Sequence, residues 1–430
     1  VTRSKDTAPA GIAVSTPKEE LSMSSETNTH DTVADLPSFP GEREARCPFD
    51  PPPAHADWRE GEGLQRTEWN GSSVWAVTRY EDVRAVLNDQ RVSADFTRPG
   101  FPGWTPAAED EPPIFPRMDD PEHARLRRML TKDFTVKRAE QKRGQIQELV
   151  DEHLGRMIAK GRHADLVREF ALPIPSLVIS LMLGVPYSDH AFFQEHSDTI
   201  ADTSASEQEN AAAKGALFGY LLELVGSKEK EPGDDIISRL LREEVATGQL
   251  TREAVAMNGI ILLIAGHETT ANMIALGALA LLQNPEQAAR IRDTDDPKVI
   301  ANAVEELLRY LTIVQDMLVR MATEDITVGG QQVKAGEGLI VGLPSGNRDA
   351  TVFDRADDFD IDRKNARAHV GFGYGIHQCL GQALARVELQ VALPTLLRTL
   401  PELRLAVPIE EVRFRHGMST YGVHELPVTW

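Results

Sequence analysis

Cysteine is almost absent: the 430-residue chain holds two, Cys47 and Cys379. Two thiols so far apart make no disulfide framework, which points to a reducing compartment. Positive charge is also short, with 46 Lys and Arg against 66 Asp and Glu and a net charge of -20. That balance argues against nucleic acid as the main partner, because phosphate contacts need a basic surface, and against attraction to anionic membranes. Long hydrophobic runs are missing as well. The longest, "AVAMNGIILLIAG" (254–266), is too short to cross a bilayer and runs straight into His267 and Glu268. The N-terminus has no charged-then-apolar leader pattern, and no internal repeat is visible. These absences together predict a cytoplasmic protein without a membrane anchor.

What remains is ordinary globular composition, 41% hydrophobic and 26% charged. Residues 1–36 are rich in Ser, Thr, Glu and Asp without apolar periodicity, so they read as a disordered segment ahead of one domain, 37–430. "SSVWAVTRY" (72–80) alternates as a strand does, and "YEDVRAVLND" (80–89) reads as a short helix. Residues 91–117 carry six prolines, three phenylalanines and a tryptophan. A loop that long is usually functional, and its aromatics suggest a lid over an apolar pocket. Helical periodicity dominates from 121 to about 310. The longest helix is expected to start at a Thr251 cap and run to about Gln283. "DITVGGQQVKAGEGLIVGL" predicts paired strands turning at Gly329-Gly330, and a further helix is expected from about 380 to 399. The fold class is mainly α, one large domain with a long central helix and small β-sheets.

Four segments carry chemistry. In "HVGFGYGIHQCLGQALAR" (369–386), Gly371, Gly373, Gly375 and Gly381 crowd around Cys379. Glycine adds no packing, so backbone there must turn sharply or approach something closely. A buried core thiol is the commonest fate of a free cysteine. Zinc would find at most His377 and Cys379. A nucleophilic thiol would need a base and an oxyanion hole, which the spacing does not supply. The glycine run also lacks the third glycine and the βαβ setting of a dinucleotide site. An axial thiolate to haem iron uses the whole segment. The glycines let backbone reach the porphyrin plane, the free N–H groups of the following helix stabilise a thiolate, and Gly381 lets that helix begin close to the ring. From the residue alone, core thiol and haem ligand both stand.

In "ILLIAGHETTAN" (261–272), a helix interior is interrupted by Gly266, which costs about 1 kcal/mol relative to Ala. The plain reading is a helix with one polar face. "HETTA" is not the zinc-protease H-E-x-x-H, because residue 271 is Ala. An acid beside an alcohol, Glu268-Thr269, can relay protons and hydrogen-bond a diatomic ligand, and Ala265 with Gly266 would form a notch for it. In "EELLRY", Glu306 and Arg309 stand one turn apart, ordinarily a solvated pair worth a few tenths of a kcal/mol. In "DPEHARLRRML" (120–130), His123 and Arg127 share one helix face and could bind carboxylates of a haem. The stretch 125–143 is locally basic, either a solvated face or a docking patch for an acidic partner.

In this order, the H-x-x-x-R helix, the A-G-x-E-T-T helix, E-x-x-R and the cysteine loop resemble a cytochrome P450 monooxygenase over about residues 37–430. "LGVPYSDHAFF", "HQCLGQALARVEL" and "ELPVTW" look most like the soluble actinomycete enzymes that hydroxylate secondary metabolites and xenobiotics. The resemblance implies the P450 fold, with haem b bound through iron to Cys379 and Phe372 packed beside it. His123, Arg127, Arg320 and His377 would hold the propionates, with Ala265, Gly266 and Gly381 against the ring. Glu268 and Thr269 would be the proton-relay pair, and Glu306, Arg309 and Arg363 a buried charge cluster. A lipophilic substrate would lie among Phe192, Ile264, Ala265, Ile313, Val314, Met317 and Thr420. Electrons would come from NAD(P)H through a ferredoxin reductase and a ferredoxin (2Fe-2S or 3Fe-4S) that docks at Arg125, Arg128 and Lys132. A monomer is expected. A peroxide-driven hydroxylase on the same fold and a haem sensor are the rival readings; Glu268-Thr269 argues against the first.

Overall fold

The structure is a computed structural model that describes residues 33–44, 47–103, 114–201 and 205–430. Most of the N-terminal segment (1–32) and the middle of the long loop (104–113) lie outside the described residues.

The longest helix is Arg252–Gln283, and its start is fixed by sequence: the Thr251 hydroxyl accepts the Ala254 N–H at 3.1 Å. By length and apolarity alone this helix could cross a membrane, yet 67% of its most apolar window is buried inside the protein. It is apolar all round because other helices enclose it. Pro173–Leu183, Glu207–Lys230, Pro297–Leu311 and Gln382–Thr399 all pack against it. Helix Glu207–Lys230 opens with a complete capping box between Ser206 and Glu209. The main apolar core runs through this bundle.

The strands are short and set to one side. Five form a sheet in the order 65–69, 72–77, 338–341, 319–322, 92–93, with 72–77 and 338–341 parallel and the other pairs antiparallel. A three-stranded sheet joins 163–165, 427–429 and 404–405. Ile326–Val328 and Gln331–Val333 form a hairpin whose two turn residues, Gly329 and Gly330, have φ of 55° and 82°, the left-handed pair that a two-residue hairpin turn needs. The architecture is thus mainly α with small sheets, as the periodicity predicts. The sheets matter for position: strand Val319–Ala322 carries Arg320 inward, and the C-terminal chain returns to the central helix.

Candidate active site

The cysteine loop lies between helix Pro297–Leu311 and helix Gln382–Thr399 and is held by its own backbone. Gly373 N–H donates to Val370 O at 2.7 Å, Gln378 N–H to Gly375 O at 3.1 Å, and Cys379 N–H to Phe372 O at 2.9 Å. Gly375 is obligatory twice over: its φ is 71°, and a Cβ would come within 2.4 Å of Leu87 O. Gly381 caps helix Gln382–Thr399. The backbone N–H groups of Gly381 and Gln382 lie where they favour the ionised form of the Cys379 sulfur. Burial pushes the Cys379 thiol up, opposed by those N–H groups and by the fields of Arg127 and Arg386. The side chain nonetheless keeps accessible surface. A thiol both reachable and desolvated lies on the floor of a hollow, not within packed core.

Basic side chains gather close by from four elements. His123, in helix Glu122–Thr131, places its ring 4.0 Å from that of His377. Arg127, one turn further along that helix, donates to Gln378 O at 2.5 Å. Arg320 is almost wholly buried and donates to Val319 O at 2.8 Å. Arg117, which the sequence reading missed, donates to Met317 O at 3.3 Å. Burial, then the fields of Arg320, His123, Arg127 and Arg117, drive His377 down to about 3. Burial and Arg117 bring Arg320 down to about 10. His123 Nε2 and His377 Nδ1 are buried without a partner. Arginines desolvated in this way are costly unless an anion meets them, and the unpartnered imidazole nitrogens are buried polar groups that lack a bond. The donor set therefore fits a bound group with two carboxylates beside the thiol, as haem has. The signal for Arg117 was its place in "FPRMDDPEH", just ahead of the His123 helix.

On the central helix, Ala265 is exposed and Glu268 and Thr269 follow on the same stretch. Glu268 Oε1 accepts from Arg415 Nη1 at 2.7 Å, and both side chains are largely buried. Burial raises the Glu268 pKa; Arg415 and the Thr420 hydroxyl oppose the rise. Arg415 lies in a C-terminal hairpin where its N–H donates to Gly422 O at 2.9 Å. No local spacing could have indicated it. Thr269 Oγ1 donates to Ala265 O at 2.7 Å, so its lone pairs are what it offers outward. The notch expected at Ala265-Gly266 needs correction. A Cβ on Gly266 would meet Ile179 Cγ1 at 3.2 Å, so Gly266 serves the close packing of helix Pro173–Leu183 and only Ala265 opens outward.

Glu306, Arg309 and Arg363 are not a solvated pair plus a stray arginine. Glu306 and Arg309 are fully buried and Arg363 nearly so. Glu306 accepts from Arg309 Nε and Nη2, both at 2.8 Å, and from Arg363 Nε at 3.1 Å. Arg309 also donates to the carbonyls of Asn347, Ala356 and Asp358, so the cluster ties the helix to the chain leading into the cysteine loop.

Of the expected substrate-contact residues, Ile313, Val314 and Thr420 come together. Tyr421 N–H donates to Ile313 O at 2.7 Å, and Val314 pairs with Thr420. Met317 exposes a large apolar side chain, and Ile264 is half-buried beside the main core. Phe192 is engaged in an aromatic cluster, 4.2 Å from His196 and 5.5 Å from Tyr220. The expected docking patch is partly neutralised. Arg125 donates to Glu122 at 2.8 Å and Lys132 to Glu243 at 2.7 Å, while Arg128 is exposed.

The fold and this site define a haem-thiolate class of protein: a thiol at a helix N-terminus, a cationic cradle beside it, and an acid–alcohol pair on the long helix. Comparison places the chain more closely. The family profile described as Cytochrome P450 matches residues 64–403. Cytochrome P450-SU2 of Streptomyces griseolus is 54% identical over 92% of this chain and 98% of that protein. Vitamin D3 dihydroxylase of Streptomyces griseolus is 44% identical over 94% of this chain and 100% of that protein. The crystal structure of GfsF, 49% identical, superposes with a TM-score of 0.87 over 92% of this chain and 100% of that one. The chain belongs to the cytochrome P450 family of haem monooxygenases.

Proposed function

We propose that this P450 hydroxylates a mid-sized lipophilic molecule, with electrons passed from NAD(P)H through a ferredoxin reductase and a ferredoxin. The observation that carries the reading is the Cys379 thiol, reachable yet desolvated, beside five basic side chains of which two have unpartnered buried nitrogens. Cys379 is the thiolate ligand, with the Gly381 and Gln382 N–H groups holding its charge. His123, Arg127, Arg320 and His377, joined by Arg117, hold the propionates. When bound in this cradle, haem would supply the oxidising chemistry of a monooxygenase.

The chain's own part is proton delivery and shape. Glu268 is raised by burial, so its carboxyl takes up a proton more readily than a surface glutamate does. Arg415 and Thr420 hold it at the outer end of the relay, and Thr269 stands at the inner end beside exposed Ala265. Ile264, Ile313, Val314 and Met317 present apolar surface with Thr420 as a polar point, the pattern of a pocket for a lipophilic ligand. The relative named for dihydroxylating vitamin D3 supports that substrate class. The acidic charge and the two unpaired cysteines support a cytoplasmic enzyme, which we take to act as a monomer.

The test is spectroscopic and catalytic. Cys379→Ser should lose the red-shifted Soret band of the reduced carbon monoxide complex, and Cys47→Ser should keep it. Thr269→Ala should keep haem and consume NADPH with less product and more peroxide. Wild-type spectra from both serine variants would overturn the ligand assignment. Haem binding without any NADPH-dependent product across a lipophilic panel would leave a sensor.

A further inference from the structure

Glu305 and Glu306 are neighbours on one helix, so their side chains leave it about 100° apart. Glu306 serves Arg309 and Arg363, as described. Glu305 turns to the cysteine loop. Its two oxygens accept from Arg386 Nε at 2.7 Å and Nη2 at 3.0 Å, a two-pronged pair. Oε2 also lies 3.0 Å from His369 Nε2. His369 Nδ1 accepts the Gly371 N–H at 3.0 Å, so Nε2 carries the ring proton and donates to Glu305. Burial opposes ionisation of Glu305, but the hydrogen bonds from His369 and Arg386 outweigh it and hold the carboxyl at about 2.

Arg386 reaches toward the thiol, and His369 ties the loop backbone at Gly371. The Arg386 guanidinium carbon stands 4.6 Å above the centre of the Phe372 ring, and the Phe372 carbonyl accepts the Cys379 N–H. The charge of Arg386 is itself within Coulombic reach of the sulfur. On the other branch, the loop is pressed against helix Pro297–Leu311 at Gly371, where a Cβ would lie 2.9 Å from Leu308 O. A buried carboxylate thus fixes a cation whose distance from the sulfur is set by an aromatic ring.

We propose that Glu305, Arg386 and His369 form a positioning unit that sets the electrostatic field at the Cys379 thiolate, and through it the reduction potential of the bound iron. This rests on the reading of Cys379 as the haem ligand. In the wild-type protein the Glu305 and Arg386 charges cancel. Reduction by one electron makes the iron centre more negative, so an uncompensated cation nearby favours it and an uncompensated anion opposes it. Glu305→Gln frees the cation and raises the midpoint potential. Arg386→Gln leaves the carboxylate and lowers it. The double glutamine variant, again neutral, returns toward wild type.

The experiment is spectroelectrochemical titration of the holoenzymes at one pH and salt concentration, with the reduced carbon monoxide spectrum recorded for each. Opposite shifts in the single variants, cancelling in the double, are expected. A brace without electrostatic function would move both singles in the same direction or neither, and that result overturns the proposal. Should the glutamine variants not retain haem, the charge-conserving Arg386→Lys and Glu305→Asp decide. A potential near wild type supports the unit and a large shift in both refutes it. Absence of a thiolate-type band in the wild-type protein would instead refute the haem reading, so the two failures are distinct.

Discussion

Replacing Glu306 with Gln keeps the shape of the side chain and removes one charge from a fully buried cluster. Arg309 and Arg363 then remain as two buried cations with no carboxylate between them. Breaking a buried pair from one side costs about 3–5 kcal/mol, because the surviving charge has lost its counterion in a medium of low dielectric. Carbonyl acceptors still meet the guanidinium groups: Asn347, Ala356 and Asp358 for Arg309, Arg355 and Asp358 for Arg363. They argue for the lower end of that range. With an unfolding entropy of roughly 2.1 cal/mol/K per residue, a domain of this length loses about 4 °C in Tm for about 3 kcal/mol. Haem loss accompanies unfolding, so the assay compares holoenzyme melts at one scan rate with the temperature at which the Soret band collapses. The Asp360 N–H also loses a carboxylate acceptor at 2.9 Å. Both transitions should therefore fall together, since the cluster anchors the chain that enters the cysteine loop. A Tm within about 1 °C of wild type would refute the claim that this charge is structurally required.

Other consequences are as direct. Glu388 is buried, its Oε2 has no partner, and burial raises it from 4.5 to about 8. A carboxyl raised in the folded state costs nothing below the unfolded pKa and destabilises progressively as pH climbs toward the folded one. Wild-type stability should fall by about 3 kcal/mol from about pH 4.5 to about pH 7 on this group's account. Glu388→Gln should remove that slope in urea titrations, and an unchanged slope would place the titration elsewhere. Arg415→Gln removes the cation that opposes the burial-driven rise of Glu268. The pH profile of product formed per NADPH should therefore move upward, and a fixed profile would exclude Glu268 from the relay. Because Arg125 and Lys132 are already paired with acids, Arg128→Glu alone should slow reduction by ferredoxin and weaken its salt dependence. Equal rates at low salt would put the docking surface elsewhere.

Much of the site was legible because its signals are local. Glycines around Cys379 mark a backbone under close approach, and Thr251 ahead of an apolar run marks where the central helix begins. The i, i+4 spacing of His123 and Arg127 puts both on one face of one helix, whatever the rest of the chain does. Helical period indicated the class of fold in the same way, since it depends on neighbours a few residues apart. Tertiary structure decided everything that depends on which surfaces meet. The Glu306–Arg309 spacing would suit an exposed pair; only packing against residues 347–363 buries it and adds Arg363. Glu305, one residue earlier, looks identical in sequence, yet helix geometry turns it to Arg386 and His369. Gly266 reads as a notch until Ile179 of another helix fills it. Arg415 stands 147 residues from Glu268, and only the return of the C-terminal hairpin to the central helix joins them. A charge's partner is set by distance through space, and in a folded chain that distance is not encoded in separation along it.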